Sequence, residues 1–278
     1  MKPSETNRLL VQRNIMPYLL LAVAAAAWLL LVWQGAGQDM GMAMTSPTMG
    51  MRAPMFLTIW VVMMVAMMLP TAAPMILTFR KVQASKRQRG EAFVATWVFV
   101  AGYMLVWTLS GIGAYVGALV AEAGAARASL SPASAARIGG GVLVTAGLYQ
   151  LTPFKDLCLS KCRTPVSFIM TSWRDGVAGT LRMGLLHGSY CLGCCWLLFV
   201  ILFPLGIMNV AAMAVITLVI FAEKTSHRAR PVARATAAAL VAYGALVLVR
   251  PQVLPTFMKS SGIAMTTPPT SMNMQSVQ

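Results

Sequence analysis

At 278 residues the chain is 58% hydrophobic and only 10% charged, with a mean hydropathy of +0.71. A soluble globular chain is about one quarter charged, so this composition excludes a soluble domain and indicates an integral membrane protein. The net charge of +15 would suggest nucleic acid in a soluble protein. Here Lys and Arg fall between apolar runs, where they act as a topology signal, and no nucleic-acid partner is expected.

In chain order, residues 1–14 are polar, with Lys2, Arg8 and Arg13, and are expected on the cytoplasmic side. Residues 15–33 form an apolar run, enough for one helix at about 1.5 Å per residue across a hydrocarbon core of about 30 Å. A cleaved signal peptide is the lesser reading: the run is long for an h-region and no clear Ala-x-Ala site follows. Residues 34–54 are a linker rich in Gly, Ser, Thr and Pro, with Met40, Met42, Met44, Met49 and Met51 within it. The membrane domain is expected over 55–250. Its second span runs over 55–79, is interrupted by Pro70 and Pro74, and ends in the basic group Arg80, Lys81, Lys86, Arg87 and Arg89. The third, 92–121, is long enough to tilt. Its Gly113, Gly117 and Ala121 follow a small-xxx-small pattern that lets helix backbones approach closely.

A Ser/Ala-rich loop leads to a fourth span over 138–154, and residues 155–182 read as a polar, basic loop holding Cys158 and Cys162. The fifth span covers 184–204. A tight turn at 205–209 precedes the sixth, which ends near Ala222, and residues 223–234 read as another basic loop. The seventh, 235–249, is short, and the tail 251–278 is low in charge and expected to be disordered outside the membrane. Outside the N-terminal segment and the loops at 80–91, 155–182 and 223–234, only Arg52, Arg127, Arg137, Arg250 and Lys259 are basic. That asymmetry places the N-terminus inside and the C-terminus outside. The expected fold is therefore all-α: a polytopic transmembrane bundle of about seven spans in a bacterial inner membrane.

The chemistry lies in soft ligands. Five cysteines are an odd number and no secreted disulfide framework. Thiolates and thioethers favour Cu(I) and other soft ions over hard cations. In the linker, Met40, Met42 and Met44, followed by Met49 and Met51, have the spacing of extracytoplasmic copper-binding methionine motifs. Thioethers suit an oxidising compartment, where thiols tend to form disulfides. Within the second span, Met63, Met64, Met67 and Met68 sit three and four apart, so Met64, Met67 and Met68 can share a helix face. In the fifth, His187, Cys191, Cys194 and Cys195 occupy i, i+4, i+7 and i+8, again one face. Gly188 and Gly193 leave room for a neighbouring helix or an ion. Counting about 1.5 Å per residue, Met67 lies roughly 18 Å in from Met55, and Cys194 roughly 15 Å in from Gly184. The two clusters can therefore meet if their helices are neighbours. Cys158 and Cys162, four apart, share a face if helical, and Lys155, Lys161 and Arg163 would lower their pKa values. Such a pair suits metal exchange at the cytoplasmic face, or redox chemistry.

The seven acidic residues, Glu5, Asp39, Glu91, Glu122, Asp156, Asp175 and Glu223, fall in loops or at span ends. A proton-coupled transporter normally carries an ionisable residue in mid-membrane. No P-loop, His-Glu-x-x-His or Gly-x-Ser-x-Gly sequence is present, so ATP-driven transport and common hydrolytic chemistry are not expected. The chain is not expected to be an enzyme.

Several of these residues fall in a recognisable pattern: Trp60, Met64, Ala66-Met67-Met68-Leu69-Pro70 and Pro74; Lys155-Asp156-Leu157-Cys158 through Cys162-Arg163-Thr164-Pro165; Gly184, Gly188 and Cys191-Leu192-Gly193-Cys194-Cys195-Trp196; and Gly206-Ile207-Met208-Asn209, Met213 and Glu223-Lys224. Over roughly residues 55–225 the chain resembles the bacterial predicted metal-binding integral membrane proteins, domain of unknown function 2182. Members commonly have Leu-Met after Cys-Cys-Trp, whereas this chain has Leu197-Leu198-Phe199. The expected function is binding and handling of a soft metal, Cu(I) foremost and zinc second, for transport or delivery in partnership with the bilayer and a metal-donor or acceptor protein. A membrane thiol–disulfide conductor built on Cys191-Leu192-Gly193-Cys194, and a metal-dependent assembly factor for one partner protein, are the alternatives.

Overall fold

The structure, a computed structural model, describes residues 3–37, 47–48, 50–226 and 229–255. Among them all regular structure is helical: α1 (Pro3–Gly37), α2 (Ala53–Gln88), α3 (Thr96–Arg127), α4 (Pro132–Tyr149), α5 (Pro153–Arg163), α6 (Pro165–Ser172), α7 (Gly176–Val200), the single turn α8 (Leu202–Leu205), α9 (Val210–Thr225) and α10 (Ala229–Val249), with a 3-10 turn at Pro251–Val253. Helix starts follow the local chemistry. Ser131, Thr152 and Asn209 accept hydrogen bonds from the backbone N–H groups of Ser134, Lys155 and Ala212, satisfying donors left open in a first turn. Gly206, with φ of +95°, makes the turn between α8 and α9 that few other residues adopt.

Five helical stretches are long and apolar enough to cross a membrane: Met16–Gly35, Ala53–Gln88, Thr96–Arg127, Gly176–Leu205 and Ala229–Val249. The expected fourth and sixth spans exist as helices, α4 and α9, but do not meet that description. Helix α4 carries Arg137 and three consecutive glycines, Gly139–Gly141. Helix α9, at 16 residues, is about 24 Å long. The expected 155–182 loop is largely helical, forming α5 and α6, and α9 continues past Ala222 to include Glu223 and Lys224.

Helix α2 is the centre of the bundle. Of its most apolar window 61% is buried, against 22% in α3 and α10, and it touches α1, α3, α6 and α9. Pro70 cannot donate to the carbonyl of Ala66 four residues earlier. The Trp28 indole N–H of α1 donates to that carbonyl at 3.0 Å instead, so the helix continues through its prolines with the orphaned acceptor satisfied.

Two helix pairs pack at glycine-mediated crossings. Helix α3 meets α7 where Gly102 and Gly184 lie against each other: a Cβ on Gly184 would come 2.2 Å from the carbonyl oxygen of Phe99. Helix α4 meets α10 at Gly140, Gly147 and Gly244 in the same manner. The expected small-xxx-small face of α3 meets no helix among the described residues. Gly113, Gly117 and Ala121 point outward, and a Cβ on either glycine meets no neighbour among the described residues. Periodicity alone does not say which of two small-residue faces a neighbouring helix will occupy.

Adding a methyl at the α3–α7 crossing should therefore break the bundle, while the outward glycine should tolerate it. We expect Gly184→Ala to cost about 1–3 kcal/mol through overpacking, and Gly117→Ala to be neutral or slightly stabilising through helix propensity. Thermal unfolding of the two purified variants in detergent measures the contrast.

Candidate metal centre

The residues expected on one face of the fifth span do share it. His187, Cys191, Cys194 and Cys195 of α7 are all buried, none more than 2% exposed. Cys191 is the focus. Its sulfur receives a hydrogen bond from the Lys224 ammonium of α9 at 2.9 Å and lies 3.2 Å from the Tyr103 hydroxyl of α3. The same ammonium donates to Thr71 Oγ1 of α2 at 3.1 Å. Thr71 in turn donates to the Met68 carbonyl at 2.9 Å and lies 3.9 Å from the Met68 sulfur. Side chains of α3 and α9 thus meet the Cys191 sulfur of α7, and α2 joins them through Thr71.

The two cysteines of α5 join this centre. Cys162 is close enough to the Cys191 and Cys194 thiols to perturb them. Cys158 lies against Gly193, where a Cβ would come 2.9 Å from its sulfur. Gly193 therefore serves to admit Cys158, and the Tyr149 hydroxyl donates to the Gly193 carbonyl beside it. The pair expected as a separate cytoplasmic exchange station belongs to the same thiol cluster as Cys191 and Cys194.

The expected lowering of the Cys158 and Cys162 pKa values is overturned. Burial, with the charge of Cys194 second, pushes the Cys158 thiol up. Contact with the Cys191 and Cys194 thiols, then burial, pushes Cys162 well above its ordinary value. The lysine expected to favour thiolates, Lys155, is fully buried and committed elsewhere: its ammonium donates to Gln150 and to Glu223 Oε2, the latter at 2.7 Å. Arg163 is also engaged, donating to the Ser226 carbonyl at 2.6 Å.

All five thiols are free. Cys194 and Cys195 donate back to the Cys191 carbonyl at 3.1 and 2.8 Å. Among the described residues no three His, Cys, Asp or Glu side chains converge as a group able to hold a metal. A closed zinc site needs about four such ligands arranged tetrahedrally. What the centre offers instead is a set of neighbouring soft sulfurs, a donor set suited to Cu(I).

His187 is embedded in rings. It stacks on Phe99 and Tyr103 at 5.9 and 5.5 Å between centroids and meets Phe168 edge-on. Its Nδ1 has no hydrogen-bond partner among the described residues. Met64, Met67 and Met68 are completely buried in the core. Met68 is tied to the thiols through Thr71 and through Tyr103, whose hydroxyl lies 3.4 Å from the Met68 carbonyl. Helix α2 meets α7 directly where Trp60 lies against Phe199, 6.4 Å between ring centroids, and its Thr71 reaches Cys191 by way of Lys224. Met40, Met42 and Met44 lie outside the described residues.

Sequence reasoning missed Lys224, Tyr103 and Thr71 as partners of the cysteines, and treated Lys155, Glu223 and Lys224 as loop charges. All three are interior, with Glu223 1% and Lys224 8% exposed. The available signal was the Glu223-Lys224 pair directly following an apolar run, where one more helical turn carries both inward. A buried charge persists only when paired, and here each has a partner on another helix.

A family model described as a copper chaperone matches residues 57–247, more than half of the chain and all of the thiol centre. The chain belongs to the PpoB2 copper chaperone family. The resemblance read from the motifs pointed to a metal-related bacterial family; the match supports a copper-related one and does not carry the family name read from the motifs. No curated protein and no solved structure matches the chain.

The Lys155–Glu223 pair, with side chains 0% and 2% exposed, binds α5 to α9 behind the cysteines. Removing one partner strands the other charge. We expect Glu223→Gln to destabilise the protein by about 3–5 kcal/mol, and the double change Lys155→Met with Glu223→Met to recover much of that loss. Denaturant unfolding of the full chain in detergent tests both.

Proposed function

We propose that this protein is a membrane copper chaperone that holds Cu(I) as cargo at the thiol centre around Cys191 and passes it to a partner protein. The observation that carries the reading is the packing of Cys158 of α5 against Gly193, beside the buried Cys191 and Cys194 thiols of α7. Membership of a copper chaperone family supports copper as the cargo. Thiolate sulfurs suit Cu(I), and ligand exchange between neighbouring sulfurs can move it without a deep trap. Met64, Met67 and Met68 would extend the soft-ligand path through α2, with Met68 adjoining the centre through Thr71. Met40, Met42 and Met44 would capture the ion outside. Cys158 would stand beside the centre as a further exchange ligand, and His187, one turn before Cys191, would close it on the other side. In this reading the protein binds and delivers, and is not an enzyme.

The proposed setting is the bacterial inner membrane, with the N-terminus inside, the C-terminus outside, and α4 and α9 crossing alongside the five longer stretches. The outward apolar side chains on these two helices support lipid contact: Ile138 and Leu148 on α4, and Val215, Leu218 and Phe221 on α9, are all more than 40% exposed. The thiol contacts that suit metal transfer also suit thiol–disulfide exchange, so a redox conductor is the second reading.

One measurement separates them. Protein purified from copper-supplied cells should contain copper, and a variant with Cys191, Cys194 and Cys195 all changed to Ser should lose most of it, read by elemental mass spectrometry. Equal copper in both proteins, or a trapped mixed disulfide in metal-free wild type, would overturn the chaperone reading.

A further inference from the structure

Lys224 is an unexpected neighbour for a soft-metal ligand. Its ammonium is buried, 8% exposed as a residue, and donates to one sulfur and one neutral hydroxyl. The nearest carboxylate in sequence, Glu223, faces the other way and is bound to Lys155 at 2.7 Å. An unpaired buried ammonium is costly, and the group placed to balance Lys224 is the Cys191 sulfur, 2.9 Å away. The metal-free centre thus contains one fixed positive charge, held on α9 by the Thr71 hydroxyl as well as by the sulfur.

We propose that Lys224 determines the charge selectivity of this centre, admitting a monovalent soft cation and rejecting divalent ones. The inference rests on the chaperone reading above and adds to it the reason one ion is accepted over another. The charge count is simple. A Cu(I) held between Cys191 and a second thiolate, Cys162, leaves one net negative charge, and the Lys224 ammonium neutralises it. The proton of the second thiol leaves as the metal–sulfur bond forms. A Zn(II) between the same two thiolates is already neutral, so Lys224 would stand in the interior as uncompensated positive charge. Coulomb repulsion at a few ångströms in such surroundings is large compared with thermal energy. No step requires Lys224 to leave. In the loaded centre it continues to donate to the Cys191 sulfur from outside the metal's ligand set, as residues behind metal ligands commonly do.

The geometry of the thiols acts in the same direction. Cys194 and Cys195 are turned back on the helix backbone, which leaves a few sulfurs at hand and no tetrahedral set for zinc. Selectivity by ligand number alone would be incomplete, since side chains can rotate. A cation fixed by Thr71 on α2 does not rotate away with them.

The test is metal competition on the full-length protein in detergent, anaerobically, with equal Cu(I) and Zn(II) supplied and the bound metals quantified after gel filtration. Lys224→Met and Lys224→Gln remove the charge, and Lys224→Arg keeps it, so a variant that fails to fold leaves others to be read. The paired change Lys155→Met with Glu223→Met, which removes a buried lysine that does not touch the thiols without stranding its carboxylate, serves as the control. We expect the Zn-to-Cu ratio to rise on the order of tenfold or more in the neutral Lys224 variants and to stay near wild type in Lys224→Arg and in the paired control. A wild-type ratio in the neutral variants would overturn the role of Lys224 while leaving copper binding intact. Wild-type protein that takes up neither metal would instead overturn the chaperone reading itself.

Discussion

The contact between the Lys224 ammonium and the Cys191 sulfur, 2.9 Å long and buried, constrains much of the rest of this bundle. To make it, α9 must run one turn beyond its apolar stretch and bring its C-terminal end between α2 and α7. Thr71 must then lie within 3.1 Å of the same nitrogen, which fixes the rotation of α2 about its axis and brings Met68 beside the centre. Tyr103 approaches from α3, and that approach is allowed because Gly102 and Gly184 let α3 and α7 come into backbone contact. The close helix crossing and the polar centre are two parts of one arrangement.

Behind the sulfurs stands a second buried pair, Lys155 with Glu223, joined by Gln150. It belongs to the same turn of α9 as Lys224 but faces α5. Helix α9 therefore holds the cysteine-bearing helices from both sides, α7 through Lys224 and α5 through Glu223. Such buried charges contribute little net stability, because desolvation offsets most of their attraction. They specify position instead, since any register that separates a pair strands a charge in the interior. That is a useful property where sulfurs from different helices must remain neighbours without a metal or a disulfide to join them.

Part of the site was legible in the sequence. The spacing of His187, Cys191, Cys194 and Cys195 fixed their common face, because a helix of 3.6 residues per turn leaves no other outcome. The coming together of α5 and α7 was not legible. Cys158 and Cys162 sit in a short stretch whose charged residues, Lys155, Asp156, Lys161 and Arg163, read as a solvated loop. The stretch packs because Lys155 finds Glu223, a partner 68 positions away. The small-residue pattern at Gly113 and Gly117 failed for a related reason: it states what a face could accommodate, and the neighbour came to Gly102 instead.

The sequence by itself determined a helical chain with stretches apolar enough to cross a membrane and rich in soft ligands, because composition and helical period depend only on local chemistry. It also determined which cysteines share a helix face. Only the tertiary structure decided that cysteines from two separate helices form a single centre, and that a lysine stands at its middle. Those are pairings between distant segments. They are set by which buried charge can find a partner and which glycines permit helices to touch, and neither choice is written in the spacing of residues along one helix.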